Sequence, residues 1–111
     1  MHSEQDERIY NIIKDVPEND DIKALEEWEK YLNANLKFPF EAEAIESDAC
    51  PLIVESDNLK VLGIGMIDDL HGIIVDVKKG RKKYSFELCL LETDGECKEL
   101  VDDYGVWFCN R

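Results

Sequence analysis

Hydrophobic residues recur at helical spacing in the first third of the chain. Over residues 4–16, one helical face carries four aliphatic side chains: Ile9, Ile12, Ile13 and Val16. After a break at Pro17, residues 22–36 repeat the pattern, with one stripe formed by Leu25, Trp28, Leu32 and Leu36. We therefore predict two N-terminal helices, each with an apolar face that needs a partner surface.

From Phe40 onward, apolar residues alternate with polar ones, which is typical of half-buried strands. Four segments follow this pattern: residues 40–46, 59–67, 72–77 and 82–91. The last two of them are predicted to form a hairpin around a turn at Lys79-Gly80. Short strands with little helix between them favour an antiparallel sheet that curls into a small barrel.

The C-terminal segment allows two interpretations. A short helix would turn Leu100, Tyr104 and Trp107 inward, whereas a last strand would begin at Tyr104, and we favour the helix. A chain of 111 residues makes one domain. We divide it into a helical half over residues 1–36 and a mainly β half over residues 38–111. The predicted fold class is α+β, with two N-terminal helices packed on a small SH3-like antiparallel β-barrel and a short C-terminal helix.

The charge of the chain indicates which classes of partner it can bind. It has 26 acidic and 13 basic residues, a net charge of −13, and five of the basic residues lie within residues 78–83. Hydrophobic residues still make up 44% of the chain, which is enough for a packed core. A negative field of this size attracts cations and repels polyanions. We expect divalent metal ions or a basic protein partner, and no nucleic acid.

Several classes of function find little support. Only two histidines are present, and no nucleophile elbow, zinc-protease motif or phosphate-binding loop occurs, so we expect no enzyme. The four cysteines have no C-x-x-C spacing, which argues against structural zinc and for free thiols. Neither a signal peptide nor a long apolar segment is visible, so we expect a cytoplasmic protein without membrane contact.

Oxygen ligands, in contrast, are abundant and clustered. Calcium takes six to eight oxygens from carboxylates, amides and backbone carbonyls. Pairs of acidic residues on a strand, in loops and near the C-terminus supply candidate metal ligands: Glu41, Glu43, Asp68, Asp69, Glu92, Asp94, Asp102 and Asp103. Glu46, Asp48 and Glu96 are further candidates in the same segments.

The segment around Glu92 is not an EF-hand. Glu92, Asp94 and Glu96 would take positions one, three and five of that loop, but Cys97 stands where the loop requires glycine. No helix is predicted before it either. Any calcium site in this chain must therefore be built differently.

One stretch of the sequence resembles a known family. Trp28, Tyr31-Leu32, Asn35-Leu36 and Phe38-Pro39-Phe40, followed by Gly63-x-Gly65-Met66 and an acidic loop, are similar to the small acidic calcium-binding family typified by the cyanobacterial CcbP. The ending with Asp102-Asp103-Tyr104 and Trp107 resembles it too, so the likeness spans roughly residues 25 to 110. Asn33-Ala34 departs from it, because acidic residues are expected there.

The resemblance implies a calcium-binding domain without EF-hands. By position in the motif, Asp68-Asp69 matches an acidic loop of the family and Asp102-Asp103 matches its acidic C-terminal segment. We therefore expect reversible binding of Ca²⁺ as a buffer or sensor. The alternative is an acidic protein-interaction module without a specific metal site, in which the same field attracts a basic partner.

Overall fold

A computed structural model describes residues 4–17, 20–45, 53 and 56–110 of the chain. Two helices come first, α1 over Glu4–Ile13 and α2 over Asp21–Asn35. Asp20 caps α2, since its side chain accepts a hydrogen bond of 3.0 Å from the Lys23 amide. The prediction of two N-terminal helices is confirmed.

The β half follows with five strands and a third helix. Their bounds are β1 Phe40–Ala44, β2 Asn58–Asp68, β3 Gly72–Lys79, β4 Lys82–Glu87 and β5 Leu91–Glu92, then α3 Lys98–Asn110. Two short 3₁₀ turns, Leu88–Leu90 and Gly95–Cys97, flank β5. The predicted C-terminal helix is therefore present, and the strand expected over residues 82–91 breaks at Leu88.

The strands form one antiparallel sheet in the order β4-β3-β2-β1-β5. The α+β class is confirmed, but the SH3-like barrel is not, because in the described part of the chain the sheet is open. The turn Leu88–Leu90 carries the chain from the β4 edge towards the β1 edge, where β5 pairs with β1 through two residues. β5 and β4 lie at opposite edges of the sheet and do not pair with each other in the described chain, so the sheet stays open.

The core lies between one face of this sheet and the helices. Trp28 of α2 and Tyr104 of α3 are fully buried with ring centroids 5.6 Å apart, and Phe86, Val75 and Val77 cover the inner face of the sheet. Alternation along each strand then turns the other side chains outward. The outer face carries the charged residues discussed below, together with the exposed Met66 and the half-buried Ile74.

The helices of the described chain are amphipathic and short. None of them is long and apolar enough to span a membrane.

Candidate metal centre

The pairing of β1 with β5 brings two predicted ligands together. Glu43 on β1 lies directly opposite Glu92 on β5. Directly opposite residues share a face of the sheet and have Cβ atoms about 5 Å apart. Both side chains are exposed on the outer face. Two carboxylates that are 49 positions apart in sequence are therefore neighbours in the fold.

Two further carboxylates line the same place. A surface depression of about 360 Å³ is lined by Glu41, Glu43, Glu92 and Asp94 together with Phe40, Ala42, Asn58 and Thr93. Asn58 faces Glu43 from β2, on the other side of β1. Four of the eight predicted ligands thus lie in one depression, which we call the acidic depression.

A buried threonine fixes the wall of the acidic depression. Thr93 is 5% exposed, and its hydroxyl donates a hydrogen bond of 2.6 Å to the backbone carbonyl of Glu41. This bond ties the segment after β5 to β1, where strand pairing has ended. Asp94 is held beside Glu41 as a result. Asn58 and Thr93 were not predicted, because neither belongs to an acidic pair and only the strand pairing reveals them.

The chemistry of the acidic depression suits a hard cation. Its side chains offer carboxylate and amide oxygens and no thiol or imidazole, which is the donor set that calcium takes. In the described part of the chain, no three His, Cys, Asp or Glu side chains are already close enough together to hold a metal ion. Coordination therefore requires these exposed carboxylates to rotate towards one point.

The predicted pair Asp68 and Asp69 lies elsewhere. Asp68 ends β2, ten residues from Asn58, which is roughly 30 Å along a strand. Its Oδ1 accepts hydrogen bonds from the amides of His71 at 2.9 Å and Leu70 at 2.8 Å. These bonds hold the pKa of Asp68 below its usual value. The carboxylate organises the β2–β3 turn, far from the acidic depression.

The predicted pair on α3 faces basic side chains. Asp102 forms an ion pair of 3.2 Å with Lys98, one helical turn earlier. Asp103 is buried and forms an ion pair with the guanidinium of Arg8, whose Nε lies 2.7 Å from Asp103 Oδ2. That carboxylate raises the pKa of Arg8 above its usual value through the hydrogen bond between them. As calcium ligands, both residues remain predictions.

The additional candidates divide between the described and undescribed residues. Glu96 forms an ion pair of 2.9 Å with Lys37, and this contact lowers the pKa of Glu96 and raises that of Lys37. Glu46 and Asp48 lie outside the described residues.

Comparison with known proteins relates the chain to calcium-binding proteins. The family model for calcium binding of the CcbP type matches residues 7–108. A solved calcium binding protein in its calcium-binding form is 25% identical, with a TM-score of 0.73 over 96% of this chain and 90% of its own. CcbP from Anabaena is 26% identical, with a TM-score of 0.75 over 97% of this chain and 92% of its own. Comparison with curated proteins gives no significant match. The chain belongs to the CcbP family of calcium-binding proteins.

Proposed function

We propose that the protein binds Ca²⁺ reversibly in the acidic depression. The carboxylates of Glu41, Glu43, Glu92 and Asp94 would be ligands, with the side-chain amide of Asn58 as a further oxygen donor. The observation that carries this proposal is the position of Glu43 directly opposite Glu92. The remaining ligands of a calcium ion would be water and backbone carbonyls, as is usual for this ion.

Repulsion between the carboxylates of Glu43 and Glu92 favours the binding of a cation between them. Two carboxylates directly opposite each other in a sheet destabilise the pairing of their strands. A divalent cation between them removes this repulsion, so part of the binding free energy comes from relief of repulsion in the ion-free protein. Because Glu43 and Glu92 are exposed, their side chains can rotate towards the ion without moving the buried Leu91 and Thr93 on either side of Glu92.

We favour calcium buffering over calcium sensing. The proposed ligands lie on the outer face of the sheet, whereas the helices and the large aromatic residues pack on its inner face. Glu92 borders α3, since it also lines a depression with Val101 and Asp102. The proposed ligands do not include the aromatic residues Trp28 and Tyr104, which hold α2 and α3 in the core. Chemical-shift changes confined to β1, β2 and β5 on calcium addition would support buffering, and changes throughout α2 and α3 would support sensing.

Isothermal titration of the chelator-stripped protein with calcium tests the site. In about 0.15 M salt with excess magnesium, diffuse surface attraction is screened. We expect saturable binding that the double variant Glu43→Gln/Glu92→Gln weakens at least tenfold. The matched control Glu7→Gln/Glu26→Gln removes the same charge from exposed helical positions and should bind as the wild type does.

Two other outcomes would contradict parts of this proposal. Unchanged affinity in the Glu43→Gln/Glu92→Gln variant would move the ion away from the acidic depression, and Asp68→Asn/Asp69→Asn would be tested next. Weak binding without preference for calcium over magnesium would favour the acidic protein-interaction module and its basic partner.

The cellular location is also a proposal. Cys97 and Cys109 form no disulfide with another described residue, and free thiols are usual in a reducing compartment. This supports a cytoplasmic protein, and detection of the protein in a cell fraction that excludes the cytoplasm would overturn it.

A further inference from the structure

A row of lysines crosses the outer face of the sheet. Lys60 on β2 lies opposite Lys78 on β3, and Lys78 lies opposite Lys83 on β4. Neighbouring strands are about 4.8 Å apart, so three lysine side chains extend from adjacent backbone positions on one face. Like charges in such positions destabilise a sheet. Lys60, Lys78 and Lys83 nevertheless lie next to one another on three adjacent strands, and we call these three residues the lysine row.

The lysine row forms no ion pair within the described chain. Lys60 and Lys83 are exposed and Lys78 is half-buried, and none of the three forms an ion pair with another described residue. Its neighbour Lys79 differs, because it binds Asp57 at 2.7 Å. The positive charge of the row is therefore available to an acidic group from outside the molecule.

The lysine row continues directly into the acidic depression. Glu41 on β1 lies opposite Lys60 on β2, so the two features meet at the boundary between these strands. With the strand order β4-β3-β2-β1-β5, one half of the outer face carries the lysine row, with Asp76 also exposed on it, and the other half carries the acidic depression. A second copy of the chain carries the same two halves.

We propose that the outer face binds a second copy of this chain as a two-fold symmetric dimer. A two-fold axis parallel to the strands, at the boundary of β1 and β2, places the acidic depression of each copy on the lysine row of the other. Such an interface is self-complementary and closes after two copies. The carboxylates of each acidic depression then form ion pairs with lysines of the other copy.

The net charge of the chain opposes this dimer and makes it weak. Each copy carries −13, so distant charges repel. At physiological salt the screening length is about 8 Å, so the repulsion between distant charges is reduced more than the attraction between facing charges. Exposed ion pairs contribute little individually. The dimer is therefore expected at high protein concentration and in the absence of calcium.

Calcium and the second copy compete for the same carboxylates. This part of the inference rests on the proposed function. An ion in the acidic depression neutralises the charge that attracts the lysine row, and binding equilibria that share a site are reciprocally linked. Excess calcium should therefore shift the dimer towards monomer, and dimerisation should lower the apparent calcium affinity.

Sedimentation velocity of the chelator-stripped protein tests the dimer. A concentration series up to about 1 mM covers weak association. One variant reverses the lysine row: Lys60→Glu/Lys78→Glu/Lys83→Glu. A second reverses the acidic half: Glu41→Lys/Glu43→Lys/Glu92→Lys. Each variant alone should be monomeric, although the second carries less net charge than the wild type, and an equimolar mixture of the two should form the heterodimer.

A matched control changes the same net charge away from the sheet. Lys14→Glu/Lys23→Glu/Lys30→Glu places three reversals outside the outer face and should leave the wild-type dimer intact. If a reversal variant fails to fold by circular dichroism, the neutral variants Lys78→Gln/Lys83→Gln and Glu41→Gln/Glu43→Gln take its place and should each weaken the dimer at least threefold.

The result separates this inference from the proposed function. A wild-type protein that stays monomeric at every concentration, or a mixture that forms no heterodimer, overturns the dimer whatever the calcium titration shows. A dimer that ignores calcium contradicts the proposed competition while leaving the interface itself in place.

Discussion

The guanidinium of Arg8 on α1 holds the carboxylate of Asp103 on α3 through two hydrogen bonds. Arg8 Nε donates to Oδ2 at 2.7 Å and Nη2 donates to Oδ1 at 3.1 Å. Gln5 adds a third donor, with its Nε2 3.0 Å from Oδ1. The Asp103 side chain is 3% exposed, and these partners compensate its buried charge. The pair joins the first helix to the last.

Loss of the Asp103 carboxylate should therefore affect stability and not calcium binding. Asp103→Asn keeps the shape of the side chain but removes the charge that Arg8 binds. We expect the Tm to fall by about 5–10 °C, because hydrogen bonds to charged groups are among the stronger ones. Thermal unfolding and calcium titration of the same sample check both statements. A calcium affinity reduced tenfold in a folded variant would make Asp103 a ligand.

The β2–β3 turn should contribute to stability in a pH-dependent way. Hydrogen bonds from the amides of His71 and Leu70 lower the pKa of Asp68 from the model-compound value of 3.8. Its ionised form therefore stabilises the fold fully above about pH 4, and this contribution is lost as the pH falls through the lower, folded-state pKa. Asp68→Asn accepts the same hydrogen bonds but does not titrate.

Urea unfolding between about pH 5 and pH 2 measures this difference. The wild type should lose more stability over this range than the Asp68→Asn variant does. Asp15→Asn, at an exposed position, should follow the wild type. An Asp68 carboxyl signal that titrates at or above 3.8 in NMR would contradict the assignment.

Local patterns predicted the helices, because a helix depends on residues three and four positions apart. The stripe of Leu25, Trp28 and Leu32 is fully buried in α2, as its spacing indicates. The predicted closing helix also forms, with Tyr104 in the core. Helical periodicity and aromatic content carried this information in the sequence itself.

The candidate site could be predicted only in part, because strand pairing is not local. Glu43 and Glu92 meet through a register that no short-range pattern encodes. Adjacency in sequence was also misleading on α3, since neighbouring helical residues point about 100° apart. Asp103 faces inward to Arg8 while Asp102 faces Lys98 on the surface. Acidic pairs in a sequence thus separate once they lie on a helix.

The start of β3 tolerates no side chain in place of glycine. Gly72 has a φ of +77°, and a Cβ there would contact the Tyr104 hydroxyl and come within 2.6 Å of Phe108. The same hydroxyl accepts a hydrogen bond of 2.8 Å from the Ile73 amide. Gly72→Ala therefore both strains the backbone and displaces Tyr104, and we expect it to cost about 3 kcal/mol or more.

Tyr104→Phe provides the graded comparison for this contact. It removes only the hydroxyl and leaves the Ile73 amide unpaired, so we expect a loss of about 1–2 kcal/mol. Chemical denaturation of both variants tests the order of the two effects. Gly105→Ala in α3, where a Cβ meets no atom within 4 Å, is the control and should stabilise the helix by about 0.5–1 kcal/mol. Equal stability of Gly72→Ala and the wild type would contradict the packing described here.

The repulsion between Glu43 and Glu92 should appear as opposite effects with and without calcium. In chelator, Glu92→Gln removes a like charge from a directly opposed pair and should stabilise the fold by about 0.2–1 kcal/mol. In saturating calcium the wild type gains stability from the ion by mass action, and the variant gains less. The order of the two melting temperatures should therefore reverse when calcium is added. Glu26→Gln on α2 changes the same charge and should show no reversal; a reversal in that control would assign the effect to net charge instead of the Glu43–Glu92 pair.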